Sequence, residues 1–200
     1  MSDTLILFDL ETSGLLSYKH EIIQIAAAVY SLTTGTILDT FERKLEFDIY
    51  KAEPRALEVT RWSQEAWASA VPAITAYEDF NAFIAPHKNV RMYSEKKKKE
   101  YYVAQLAGFN AATFDGPFLT KAFRDNQLFL SASPKILDVM QLAMWILRLR
   151  NIRLENDRQE TICKHFGITY DAHEALADVR AMAGLLNKLT GREELNESNG

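Results

Sequence analysis

Cysteine is almost missing from this sequence of 200 residues, and its one occurrence, Cys163, has no partner for an internal disulfide. A cysteine-rich metal site is excluded for the same reason. Cys163 lies in ETICKHFGI beside Ile162 and Phe166, where a small core residue is expected. No apolar run approaches the roughly 20 residues that a membrane helix needs. The N-terminus shows neither the basic region nor the cleavage site of a signal peptide. A soluble, cytoplasmic protein without a membrane partner is therefore expected. Positive charge is not in excess either. Lys and Arg number 23 against 27 Asp and Glu, for a net charge of -4 and a pI near 5.6. That argues against coating nucleic acid through general basicity. It leaves open an enzyme that grips a few phosphates locally and recruits metal ions for the rest. What remains is ordinary globular composition, 48% hydrophobic and 25% charged, at a length suited to one domain.

Along the chain, LILFDL reads as a buried first strand and EIIQIAAAVYSL as a central one, rich in β-branched pairs. TGTILDTFERKL follows a Thr-Gly turn and alternates like a strand nearer an edge. Residues 56–85 read as helix in two pieces split near Val71-Pro72, with Ala56, Leu57, Trp62, Trp67, Phe80, Phe83 and Ile84 facing inward. RMYSEKKKKEYY is the conspicuous charge run, and YVAQLAGFNA then resumes a strand. FDGPFLTKAFRDN reads as helix, PKILDV as a short strand, and VMQLAMWILRLR and RQETICKHFG as helices. A last helix is expected from about Asp171 to Leu189, with Asp171 and Glu174 at capping-box spacing. Its apolar stripe runs through Leu176, Val179, Met182, Ala183, Leu186 and Leu189, and Asp178 falls on the flank of that stripe. The fold class is α/β: a mixed β-sheet of three antiparallel N-terminal strands plus two more, flanked by helices. Residues 1–190 make one domain, and 191–200 a polar tail expected to be disordered.

Four carboxylates stand out. In FDLETSG, Asp9 and Glu11 sit two apart on a strand and so point the same way, where their charges repel. Asp115 opens one helix and Asp178 flanks another. Taken singly, each has an ordinary explanation: a strand end, a helix N-cap ahead of Gly116-Pro117, a solvated residue on an amphipathic helix. Taken together, they are the ligand set of a hard divalent cation, Mg²⁺ or Mn²⁺ rather than Zn²⁺. Four carboxylates exceed what one Mg²⁺ takes, whereas two ions about 4 Å apart would use them in phosphoryl displacement.

FDLETSGL resembles the first motif of the DnaQ-like, DEDDh-type 3′-5′ exonucleases. GFNAATFDGPFL resembles the second and HEALADVRA the third, in the family's order, across residues 8–181. The resemblance implies an RNase H-like fold and a two-metal exonuclease that releases nucleoside 5′-monophosphates from the 3′ end of DNA or RNA. It implies that Asp9 bridges both metals, that Glu11 and Asp178 complete one ligand set, and that Asp115 serves the other. His173 would be the general base, a role suited to an imidazole titrating near 6.5. Several members are homodimers, so a dimer is among the expected assemblies. Any proofreading would require a separate polymerase.

Other positions carry two readings. The Thr12-Ser13-Gly14 backbone and Leu15 would approach the terminal nucleotide, or form a strand-to-loop turn with an incidental hydrophobe. Asn110 orients the second-motif helix or touches substrate. Phe114 and Phe118 are core positions, and His20, His87 and His165 are structural or surface residues. The Lys96-Lys99 run is a solvated edge or loop ahead of a guide for a phosphate backbone, and the Arg148, Arg150, Arg153 and Arg158 cluster shares that ambiguity. A reading from another class is a non-catalytic subunit that holds a nucleic-acid end, or assists proofreading, on the same fold. The five intact motif residues weigh against it.

Overall fold

The computed structural model describes residues 3–172 and 174–192, and it builds its central sheet on the apolar run that leads to Asp9. β1 (Thr4–Thr12) pairs antiparallel with β2 (Ile22–Ser31), and β2 pairs antiparallel with β3 (Ile37–Lys44). On its other side β1 pairs parallel with β6 (Leu106–Gly108), which pairs parallel with β7 (Leu137–Asp138). The order β3-β2-β1-β6-β7 is the mixed sheet expected.

Alternation along β1 sorts its side chains between two cores. Ile6, Phe8 and Leu10 join Ile25, Val29 and Phe41 beneath α2 (Ala73–Ile84) and α3 (Asp115–Asp125). Leu5 and Leu7 join Ala26, Ala28 and Tyr30 beneath α4 (Val139–Leu149), α5 (Gln159–His165) and α6 (Ala175–Thr190). Cys163 is fully buried in this second core, and burial pushes its thiol up to about 12. Asp9 and Glu11 continue the row of Leu5 and Leu7, so the sheet aims them to the α6 side. No helix among the described residues is long and apolar enough to cross a membrane.

Four expectations need correction. Residues 56–85 are not two long helices: α1 is only Pro54–Val59, and the chain turns through residues 61–70. Arg61 takes a left-handed φ of 51°, which ends α1. Ala56, Leu57 and Trp62 stay half-buried, whereas Trp67 is buried and its indole N–H donates to the Ile23 carbonyl at 3.2 Å. Val71 splits the region by pairing with the β3 edge, donating to Lys44 and accepting from Glu46. The strand expected in YVAQLAGFNA breaks at Gln105. Its first part, β5 (Lys99–Ala104), pairs with β4 (Lys88–Ser94) in a separate two-stranded sheet. Lys96, Lys97 and Lys98 lie in the exposed turn of that hairpin, the loop setting expected ahead of a phosphate guide.

The last helix begins at Ala175, four residues later than expected, and no capping box forms among the described residues. The Asp171 carboxylate is held by the Arg61 guanidinium through two bonds of 2.7 and 2.8 Å. The cap position falls to Glu174, whose side chain makes no capping bond. At the other end Gly191 stops the helix in left-handed conformation, φ 69°. Residues 193–200 of the expected tail lie outside the described residues.

Candidate active site

β1 runs past its parallel partner. β6 ends at Gly108, beside the middle of β1, so the later N–H groups on that side of β1 need another acceptor. Leu10 finds it in the Asp115 carboxylate, at 3.1 Å. Asp115, the first residue of α3, is thereby fixed at the sheet's open end; it is buried.

The chain reaches α3 through a tight turn. Asn110 takes φ 55°, its carbonyl accepts from the Thr113 and Phe114 N–H groups, and its amide oxygen accepts from the Thr113 hydroxyl at 2.6 Å. The Asn110 side chain thus takes part in the turn that leads into α3. Asp138, at the end of β7, supports the same turn. Its carboxylate accepts from the Asn110 and Ala112 N–H groups while capping α4 through Met140 and Gln141.

Across the sheet end, α6 presents Asp178 in its first turn. One carboxylate oxygen each from Asp9, Glu11 and Asp178 lie within 4.8 Å of one another. Gln159 of α5 donates to the Asp178 carbonyl at 2.8 Å, and the Tyr170 hydroxyl bonds the Asp178 carboxylate. Burial holds the Tyr170 phenol well above its usual value, and the Asp178 charge adds to this.

Among the described residues, the charges acting on Asp9 are all carboxylates. Burial raises its pKa well above the ordinary range, reinforced by Asp115, Glu11 and Asp178. Burial, then Asp178 and Asp115, push Glu11 up to about 8. Burial pushes Asp115 up to about 7 against the opposing pull of the Leu10 N–H. An all-oxygen donor set with suppressed ionisation and, among the described residues, like-charged neighbours fits a hard divalent cation. Asp115 stands beside the close triad, acting on it through its charge. His173 lies outside the described residues.

The Thr12–Leu15 stretch is a turn whose polar groups are engaged within the protein. The Thr12 hydroxyl donates to the Gly14 carbonyl at 2.8 Å, and the buried Ser13 hydroxyl accepts from the Glu21 N–H. His20 packs directly on Gly14, where a Cβ would sit 2.5 Å from the ring. The His20 Nδ1 accepts from the Leu16 N–H at 3.0 Å, which leaves Nε2 to carry the proton 3.3 Å from Glu53. Leu15 alone projects outward, 71% exposed.

Asp138, Gln159, Tyr170 and His20 were not singled out as positioning residues from sequence. An Asp directly ahead of VMQLAM is an N-cap signal that could have found Asp138. No local pattern points to Tyr170.

The family model described as exonuclease, RNase T, matches residues 6–186. The DNA polymerase III PolC-type of Oceanobacillus iheyensis is 27% identical over 95% of this chain and 12% of its own length. That of Bacillus subtilis is 26% identical over 99% of this chain and 13% of its own. The chain thus spans about an eighth of these curated relatives. Among solved structures, an exonuclease I superposes with a TM-score of 0.75 at 21% identity, over 97% of this chain and 42% of that one. E. coli exonuclease I in complex with a dT13 oligonucleotide gives 0.74 at 20% identity, over 100% and 43%. These likenesses show the RNase H-like fold.

Proposed function

This chain belongs to the RNase T exonuclease family, and from that premise we propose that it is a 3′-5′ exonuclease of the DEDDh type. It would hydrolyse phosphodiester bonds at the 3′ end of DNA or RNA and release nucleoside 5′-monophosphates. The observation that carries this reading is the triad of carboxylate oxygens within 4.8 Å, on Asp9, Glu11 and Asp178, with Asp115 beside it. Such a cluster repels itself unless a cation joins it. Residues 1–190 are the domain that performs the reaction.

Asp9, Glu11, Asp178 and Asp115 would hold two divalent cations, Mg²⁺ or Mn²⁺. When bound, these neutralise charge on the attacking and leaving oxygens of a phosphoryl displacement. The chain's own residues do the rest. Tyr170 and, at 3.4 Å, the Gln159 amide hold the Asp178 carboxylate, and the Leu10 N–H fixes Asp115. His173 would take the proton of the attacking water. Leu15, exposed at the rim, offers an apolar face to the terminal base. The setting we propose is editing beside a DNA polymerase, as the names of the PolC-type relatives suggest.

The test is incubation of the protein with Mn²⁺ or Mg²⁺ and matched 5′-labelled DNA and RNA strands, beside an Asp115→Ala control. Shortening from the 3′ end that disappears with EDTA and in the variant is the expected result. Intact strands, with Mn²⁺ still raising the melting temperature, would replace the enzyme by a subunit that only holds ends.

A further inference from the structure

A groove of about 480 Å³ runs along the outer side of α3. Its lining includes Ala112, Ile136 and Gly116, the residue that directly follows Asp115 in α3. The packing is close at Gly116, where a Cβ would sit 2.6 Å from the Ile136 side chain and 3.0 Å from the Ala111 carbonyl. Tyr18, 75% exposed, lines it from the same β1–β2 loop that carries Leu15. Lys121 and Arg124 give it a cationic rim, a turn apart on the outward face of a helix whose inward residues are Phe118, Leu119 and Phe123. Both cations reach the Asp125 carboxylate, at 2.6 and 3.2 Å, so one positive charge on this rim is left over.

An exposed aromatic ring and two cations lining one groove are the chemistry that holds single-stranded nucleic acid. Bases stack on rings, and phosphates lie against the cations. We infer that this groove binds the nucleotides immediately 5′ of the terminal one, with Tyr18 stacking on a base and Lys121 and Arg124 meeting the backbone. From Gly116 to Arg124 the helix rises about 12 Å, so the contact extends along the strand rather than closing around one residue. The inference rests on the exonuclease reading, which delivers a 3′ end to the carboxylates. It adds the direction from which the strand arrives.

The experiment measures binding of a 5′-fluorescein oligothymidylate by anisotropy in Ca²⁺, across a salt series, for the wild type and for Tyr18→Ala, Lys121→Gln, Arg124→Gln and Lys97→Gln. Lys97, in the exposed β4–β5 turn, serves as the general-charge control. All four positions lie on the surface, and melting temperatures verify folding. Tyr18→Ala should weaken binding roughly tenfold. Each cation lost from the rim should lower the salt slope by about 0.7, and Lys97→Gln should change neither quantity. Unchanged affinity in Tyr18→Ala and Arg124→Gln, an equal loss in Lys97→Gln, or no binding by the wild type would overturn the groove. Cleavage assayed in parallel with Mn²⁺ separates the two ideas. A strand bound through the groove but never shortened sinks the exonuclease. A strand shortened with unaltered constants in the variants sinks the groove.

Discussion

The Tyr170 hydroxyl reaches Asp178 from the loop ahead of α6, while the Gln159 amide reaches it from α5. Partners of this kind set the orientation of a ligand, and their loss typically costs tenfold to a hundredfold in metal affinity or activity. Tyr170→Phe removes one oxygen and little packing, so it should weaken Mn²⁺ binding by about tenfold, read by calorimetric titration. An unaltered affinity would leave Tyr170 a packing residue only. His173→Ala tests a different role. If this imidazole takes the proton, turnover should fall by roughly a hundredfold or more while the Mn²⁺-induced rise in melting temperature survives. Loss of both together would make His173 a structural or ligand residue. The sequence shows Asp9 and Glu11 through strand alternation, and Asp178 through its place beside an apolar stripe. Tyr170 and Gln159 are hidden because their contacts join separate segments, with no periodicity to betray them.

β6 is three residues long, yet it fixes how α3 meets β1. The approach is close at Gly108, where a Cβ would lie 2.4 Å from the Ala111 methyl and 2.9 Å from the Phe8 carbonyl. Neither neighbour is the flexible end of a long side chain. Gly108→Ala should therefore destabilise the protein by roughly 1–3 kcal/mol in urea unfolding, and it should weaken Mn²⁺ binding because Asp115 is displaced. Wild-type stability would mean that the two strands part more easily than the packing indicates. The elements that sequence made legible are those with long apolar runs, β1 and β2, or a full stripe, α6. Those it misplaced are decided by tertiary contacts. α1 stops where Arg61 turns left-handed, and the start of α6 waits for Ala175 because Asp171 bonds Arg61 instead of the helix. A capping-box spacing cannot reveal that its acidic residue is already engaged 110 residues away.

For the whole molecule, the acidic cluster trades stability against function, and pH exposes the trade. Without metal, Glu11 ionises at about 8 rather than 4.5 and Asp115 at about 7 rather than 3.8. In that window the folded protein keeps protons that the unfolded chain has released. The contribution of these groups is therefore fully present below about pH 4 and is lost as pH rises through about 7 to 8. In EDTA, the melting temperature should fall between about pH 5.5 and about pH 8.5. A divalent cation competes with those same protons, so the stabilisation it adds should grow over the same interval. Asp9→Asn separates the two effects. It removes the carboxylate pressed hardest by its neighbours, so the metal-free variant should be more stable than the wild type at pH 8, by roughly 1–2 kcal/mol. It should also lose most of the Mn²⁺-dependent rise in melting temperature. A variant that is less stable in EDTA and keeps its response to Mn²⁺ would show that Asp9 is a structural carboxylate. The cluster would then owe its closeness to the fold and not to a bound cation.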